Sequence, residues 1–321
     1  MKTKYLFLFT CILLLFLSAC KKPEQESLPI IYTIQPIEIT TTKAVFRATV
    51  NDSSHENTAV GFEWKKNTES DYKNSTVQTN KDDYYYSFLV TDLEEDTKYV
   101  VKAFTKTSSG KILYGEEISF FTHGTITDID GNTYLTMRYY DKFWMSDRIW
   151  MTENLRVTRL ADGTPIEARS GGKLDDSDGS VYVYDYRHTA YPSNPNFGLL
   201  YNEVAAKGVC PEGWHLPLQQ DWNNLISLCG GPGMAANMMK TATWSESPYI
   251  SNNYSQFSIE PAGCYGYWND EGDFRGVYES AYLWCRGVPH CMPFLIVRRF
   301  SKIEIIAVGS SAACSVRCVK D

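Results

Sequence analysis

Between Lys21 and Val209 the chain has no cysteine, and after Lys21-Lys22 it has no clustered run of lysine or arginine. The first absence leaves everything up to Val209 to be held by packing and hydrogen bonds alone. The second argues against nucleic acid as a partner, because gripping a phosphate backbone takes grouped basic side chains. The balance of 31 basic against 38 acidic side chains, a formal charge of −7, points the same way. No two cysteines have CxxC spacing, so the sequence contains no zinc knuckle, and neither metal nor another cofactor is expected. No apolar run reaches the length of a membrane span either.

What is present begins at the amino terminus. Lys2 and Lys4 precede an apolar run, Tyr5 to Leu17, and small residues Ser18 and Ala19 come before Cys20. This is the layout of a secretory signal. Leu17-Ser18-Ala19-Cys20 also resembles a bacterial lipobox, which implies removal of residues 1–19, a diacylglyceryl group on Cys20 and acylation of the new amino terminus. Each buried methylene then adds about 0.8 kcal/mol of membrane affinity. The expected protein is anchored to a bacterial envelope membrane, the outer one, through Cys20, with residues 20–28 as a polar tether. Export decides how the cysteines are read. Of nine, Cys11 leaves with the signal, Cys20 carries lipid, and seven lie between 210 and 318. In an oxidising compartment such a cluster predicts disulfides within one domain, and an odd number leaves at least one thiol. Aromatics make up 14%, with 22 Tyr and 8 Trp, which suits an exported β-rich protein or a recognition surface.

From 29 to 123 the residues read as short strands. "KAVFRATV" (43–50) and "AVGFEWKK" (59–66) alternate apolar and polar, followed by "YYYSFLV" (84–90), "KYVVKAFTKT" (98–107) and "ILYGEEISFFT" (112–122). Turn signals fall at Asn51-Asp52, Asn74-Ser75 and Ser109-Gly110. The pattern predicts a β-sandwich with Trp64 buried on a central strand. Leu93 to Tyr99 has the form of a tyrosine corner, in which a Tyr at the start of a strand ties down the loop before it. Together these residues resemble a fibronectin type III domain, an all-β immunoglobulin-like sandwich, and the resemblance implies a spacer.

Residues 124–321 alternate short motifs with Gly-, Asp- and Ser-rich loops. In "DIDGNTY" (128–134), Asp130-Gly131 or Gly131-Asn132 would turn a hairpin. "LPLQQDWNNLISLCGG" (216–231) has Leu216, Trp222, Leu225, Ile226 and Leu228 near helical spacing and Gly230-Gly231 as a stop, predicting a helix of about three turns. Beyond it regular structure looks thin until "CSVRCV" (314–319), and the domain reads as α+β with long loops. In order, "DIDGNTY", "WMTENLR", "DGTPI", "FGLLYN", "CPEGWHLP" with Trp222, and "SVRCVKD" resemble the Fibrobacter-type major paralogous domain of exported bacterial proteins. That family is similar to the C-type-lectin-like and formylglycine-generating-enzyme folds.

The resemblance implies a surface or fimbria-associated module in which recognition is favoured over catalysis. It implies that Cys210 pairs with Cys318, that Trp214 and Trp222 are core, that Pro211 and Pro217 set the helix entry, and that His215 is structural. No catalytic residue is assigned: Cys210 with His215 would need a free thiol aimed across a Pro- and Gly-containing turn. This chain departs from the family by an insertion, "FWMSDR" (143–148), expected to lengthen or decorate a hairpin, and by five further cysteines. Cys285 could pair with Cys291, and Cys264 with Cys314. "WND" (268–270) with "IEPAG" (259–263) imitates a lectin calcium signature, but Ala262 stands where a ligand Asn would be, and calcium wants six to eight oxygens. The candidate ligand site is the aromatic and acidic loop region 264–284, with Tyr267, Trp268, Asp270, Asp273 and Arg275 as its surface residues, suited to a glycan or a surface protein. The other readings are an enzyme related to formylglycine generation and a structural envelope or fimbrial subunit.

Overall fold

The computed structural model describes residues 28–51, 57–78, 84–141, 146–169, 182–184, 194–241, 243–244, 253–266, 273–287, 293–298, 303–307 and 312–321. Before residue 124 the described residues form eight strands: β1 (Ile30–Ile37), β2 (Ala44–Asn51), β3 (Asn57–Lys66), β4 (Lys73–Val77), β5 (Tyr85–Val90), β6 (Lys98–Thr107), β7 (Ile112–Tyr114) and β8 (Ile118–Phe121). Their sheets run β1-β2-β5 and β4-β3-β6-β7, with β8 also pairing β6. That is the strand arrangement of an immunoglobulin-like sandwich. Strict alternation on β2 sends Ala44, Phe46, Ala48 and Val50 inward. The Phe46 ring lies 5.7 Å from Phe62 and 5.6 Å from Trp64, both on β3, so the inner faces of the two sheets interlock.

Three details refine the sequence reading. Tyr99 does form the corner: its hydroxyl accepts the Glu94 N–H at 3.0 Å. Asn74-Ser75 is not a turn but lies within β4, and the chain reverses earlier, where Glu69 N–H bonds the Lys66 carbonyl. Turn-type residues are tolerated there because β4 is an edge strand with Asn74 exposed to water. The last predicted strand is broken at Gly115, where a Cβ would come within 2.6 Å of the Thr33 hydroxyl.

By contact density the chain divides into two compact units. One runs to Gln35 and adds Phe46–Phe88 and Val100–Ile118; the other holds Pro36–Val45, Leu89–Tyr99 and Ser119–Asp321. The second unit adds β9 (Gly124–Thr127), β10 (Thr133–Asp141), β11 (Ser146–Met151), β12 (Glu167–Arg169), β13 (Tyr182–Tyr184), β14 (Leu200–Asn202) and β15 (Trp214–His215). It continues with β16 (Cys264–Tyr265), β17 (Phe274–Arg275), β18 (Ser280–Trp284), β19 (Pro293–Arg298), β20 (Glu304–Ala307), β21 (Ala313–Cys314) and β22 (Val319–Lys320). Its α-helices among the described residues are α1 (Glu203–Ala206), α2 (Gln219–Leu228) and α3 (Pro232–Met239). The sheets have orders β15-β22-β11-β10-β9, β12-β13-β14-β21-β16-β17 and β18-β19-β20. Strand outweighs helix, so the α+β expectation holds in a β-rich form.

The expected β9–β10 hairpin is present. Its turn is closed by Asp128, whose carboxylate accepts the N–H groups of Asp130 and Asn132, both at 2.9 Å. Gly131 takes a φ of +85°, open to glycine and costly for other residues. The next hairpin has a register that runs out to Asp141 opposite Ser146, and Phe143 to Met145 of the expected insertion lie outside the described residues. Helix α2, ten residues long, has the expected length of about three turns, starting where the Asp221 carboxylate accepts the Leu218 N–H and ending before Gly230 and Gly231, both at positive φ. Trp222, Leu225 and Ile226 are buried on it, whereas Leu228 is exposed.

Two expectations fail here. The region after Gly231 holds helix α3 and the sheet β18-β19-β20, not thin structure. The Gly-Gly stop is followed at once by a new helix with Pro232 at its first position, where a missing N–H costs nothing. "CSVRCV" is not one strand either, since Cys314 ends β21 and Val319 begins β22 in a different sheet.

A titratable group in the second unit predicts acid sensitivity. His123 is buried, its Nε2 lies 3.1 Å from the Gln256 side-chain oxygen, and its Nδ1 has no partner among the described residues. Burial lowers its pKa from 6.5, outweighing the Gln256 hydrogen bond that raises it. The unfolded chain therefore takes up a proton before the native one does as pH falls. Stability should be complete above pH 6.5 and decline below it, toward the lower native value. His123→Gln should flatten the melting-temperature profile between neutral and mildly acidic pH; an unchanged profile would assign the loss to other groups.

Candidate functional site

"CPEGWHLP" concentrates residue types that catalyse, and the structure shows what each one does. Cys210 is bonded to Cys318, with the α-carbons 5.8 Å apart. Pro211 to Trp214 is a turn, with Trp214 N–H on the Pro211 carbonyl and Gly213 at a φ of +76°. The turn delivers Trp214 and His215 to β15, which pairs antiparallel with β22, His215 opposite Val319. Pro217 hands its carbonyl to Arg286 N–H at 2.7 Å and directs the chain into α2. Trp222 is wholly buried, 4.6 Å from Trp150 and 5.7 Å from Phe257 between ring centres. Trp214 is only half-buried, packed against a neighbouring cluster, so one of the two predicted core tryptophans is peripheral.

His215 has carboxylate partners that the sequence did not reveal. Its Nδ1 lies 2.6 Å from Asp321 and its Nε2 3.3 Å from Asp221. Asp221 is already committed to the helix start and to Arg148, 3.5 Å away. An imidazole flanked by acids resembles a proton-transfer pair, but Cys210 of the same motif is oxidised, and the Cys285 thiol, within electrostatic reach of Asp221, is held protonated by burial. The chemistry available is to pin the start of α2 to β22.

The other motifs converge on Arg317, which is wholly buried. Its Nε donates to Asn154 Oδ1 at 2.9 Å, one terminal nitrogen to the Ser258 carbonyl at 2.6 Å and the other to the Phe257 carbonyl. The guanidinium lies 4.6 Å from the Phe257 ring centre, and burial pushes its pKa down to about 10. Asn154 passes the network on, donating to the Phe197 carbonyl at 3.0 Å. Gly198 follows with a φ of +69°, and a Cβ there would lie 2.5 Å from the Leu155 carbonyl. "WMTENLR", "FGLLYN" and "SVRC" are thus a single buried polar joint. Sequence reasoning gave no role to Arg317 or Asn154; the available signal was a charged residue set among apolar ones beside a disulfide cysteine.

The proposed ligand residues are only partly placed. Tyr267, Trp268 and Asp270 lie outside the described residues, as do Cys20 and Cys291. Asp273 is exposed just before β17, and Arg275 is half-buried on that strand, where it faces Cys264. Tyr265, Tyr282 and Trp284 are core, and the Trp284 indole N–H bonds the Tyr201 carbonyl at 2.7 Å. In the calcium-like stretch Ala262 is buried, and buried Glu260 accepts the Thr243 hydroxyl. Three cysteines outside the disulfide are poor nucleophiles: burial pushes the Cys229 thiol up to about 11, Cys285 to about 12 and Cys314 well above its usual value.

These features define a class of chain, an immunoglobulin-like sandwich followed by a disulfide-stapled mixed domain whose motifs are framework. Residues 143–320, more than half of the chain, match the Fibrobacter succinogenes major domain, and the chain belongs to that family. No curated protein matches it. Among solved structures it is similar to the sensor domain of the anti-sigma factor RsgI4 of Pseudobacteroides cellulosolvens, at 20% identity and TM-score 0.26, over 30% of this chain and 95% of that one. It is similar to the human fibronectin type III domain containing protein 3, in its fibronectin type III domain, at 18% identity and TM-score 0.24, over 31% and 91%. A cycloalternan-degrading enzyme of Trueperella pyogenes matches at 9% identity and TM-score 0.27, over 90% of this chain and 36% of that one. Scores this low say nothing of activity.

Proposed function

We propose that the chain is an exported lipoprotein, anchored at the bacterial outer membrane through Cys20, whose C-terminal domain recognises a glycan or a surface protein and catalyses nothing. The observation that carries the reading is the use of the chemistry-bearing residues as framework: Cys210 in a disulfide, His215 clamped between two carboxylates and Arg317 buried among carbonyls. Thiols held protonated by burial also count against a formylglycine-type mechanism, which needs a reactive cysteine. A C-type-lectin-like presentation then leaves loops around β17 to carry specificity, with Asp273 and Arg275 at its base.

Two expected results test this. Fatty-acid labelling of cells should mark the wild type and not Cys20→Ser; label retained in the variant would remove the anchor. Replacing Trp268 and Arg275 together by Ala should abolish retention on a glycan array or in a surface-protein pull-down while leaving the melting temperature nearly unchanged. Binding equal to wild type, or an unfolded variant, would move the site elsewhere.

A further inference from the structure

Tyr265 on β16 faces Ala313 on β21 in an antiparallel pair, and that register sets Cys264 directly opposite Cys314. Both side chains are fully buried and belong to one apolar cluster, so they project from the same face of the sheet. Their sulfurs are near enough for charge on Cys264 to raise the Cys314 pKa further. Directly opposed residues of an antiparallel pair have α-carbons about 4.5 or 5.5 Å apart, inside the range of about 4.4–6.8 Å that a disulfide spans. Their β-carbons stand roughly 4.5–5.5 Å apart against about 3.8 Å in a disulfide, so closure asks for an approach of an ångström or so. The register sets the two cysteines opposite each other, and in the structure both are still thiols.

We infer that Cys264 and Cys314 are an oxidation site, joined during export as a second, cross-strand disulfide that fastens the base of the candidate ligand region to β21. The oxidant is a disulfide of the exchange type. The thiolate of one cysteine attacks it and releases a thiol, the second cysteine then attacks the mixed disulfide, and a second thiol leaves. Two cysteine thiols are oxidised, one donor disulfide is reduced, and two protons pass from the cysteines to the departing thiols. Because both sulfurs are buried, exchange happens before the sheet closes, and the finished bond is shielded from reductant until the domain unfolds. The inference rests on the exported reading for its oxidant.

The test is peptide mapping without reduction on the full chain, taken from its own envelope and alkylated during lysis. Peptides holding Cys264 and Cys314 should be recovered as one linked species, with Cys210–Cys318 linked as an internal control. The control linked, with Cys264 and Cys314 both alkylated, would overturn the pairing. If all four are alkylated, export has failed and the pairing is decided by refolding the reduced full chain in a glutathione redox mixture: a linked species upholds it, and two alkylated peptides sink it. In the linked protein, loss of that species should need denaturant as well as reductant. The double variant Cys264→Ala/Cys314→Ala should lack it and keep the Cys210–Cys318 link; if that variant does not fold, the wild-type map decides alone.

Discussion

Cys318→Ala should cost the C-terminal unit about 4–5 kcal/mol, the loop-closure value for a bond joining residues this far apart in sequence. Cys210 and Cys318 are separated by 108 positions, and both are packed with the apolar cluster around Tyr134 and Tyr201. Domains are stable by only about 5–15 kcal/mol, so the loss should remove a large share of the unit's stability. Tryptophan fluorescence in a urea titration is a suitable measure, since seven of the eight tryptophans lie beyond residue 124. With reductant present, wild type and variant should share one midpoint. Coincident non-reducing midpoints for wild type and variant would show that the bond does not contribute.

Arg317→Met is the second large effect. It orphans three acceptors, Asn154 Oδ1 and the carbonyls of Phe257 and Ser258, each worth about 1–3 kcal/mol when buried and unpaired. Against that stands relief from burying a charge. The fall in guanidinium pKa from 12.5 to about 10 puts that relief at roughly 3 kcal/mol. The acceptors win, for a net loss of about 3 kcal/mol, and Arg317→Lys should fall between, keeping the charge but not the fork of donors. The same titration measures both. A Met variant more stable than wild type would mean that charge burial dominates, as it does in some buried ion pairs.

How much was legible depended on whether a residue's role was local. Alternation on β2, the tyrosine corner at Tyr99, the hairpin at Gly131 and the helix around Trp222 each need only neighbours in sequence, and each was readable. β4 was hidden because Asn74 and Ser75 are turn residues on a wet edge. The partners of His215 were hidden because Asp321 arrives through sheet pairing rather than spacing, and Arg317 because its acceptors come from backbone at Phe257 and Ser258. The disulfide came from resemblance of motifs, which stands in for the long-range information a single sequence lacks.

The position of β22 has a consequence for assembly. It lies between β15 and β11, and Trp150 finds its partner, Val319, across most of the domain's length. A polypeptide made amino-terminus first delivers β11 long before the strand that seals its edge. Until then β11 is an open edge backed by apolar side chains, the kind of surface that recruits other chains. Folding that waits on so distant a contact is slow. The domain's yield should therefore depend on holdase chaperones more than its finished stability suggests, and truncations that spare every motif but "SVRCVKD" should be degraded or aggregate rather than fold in part.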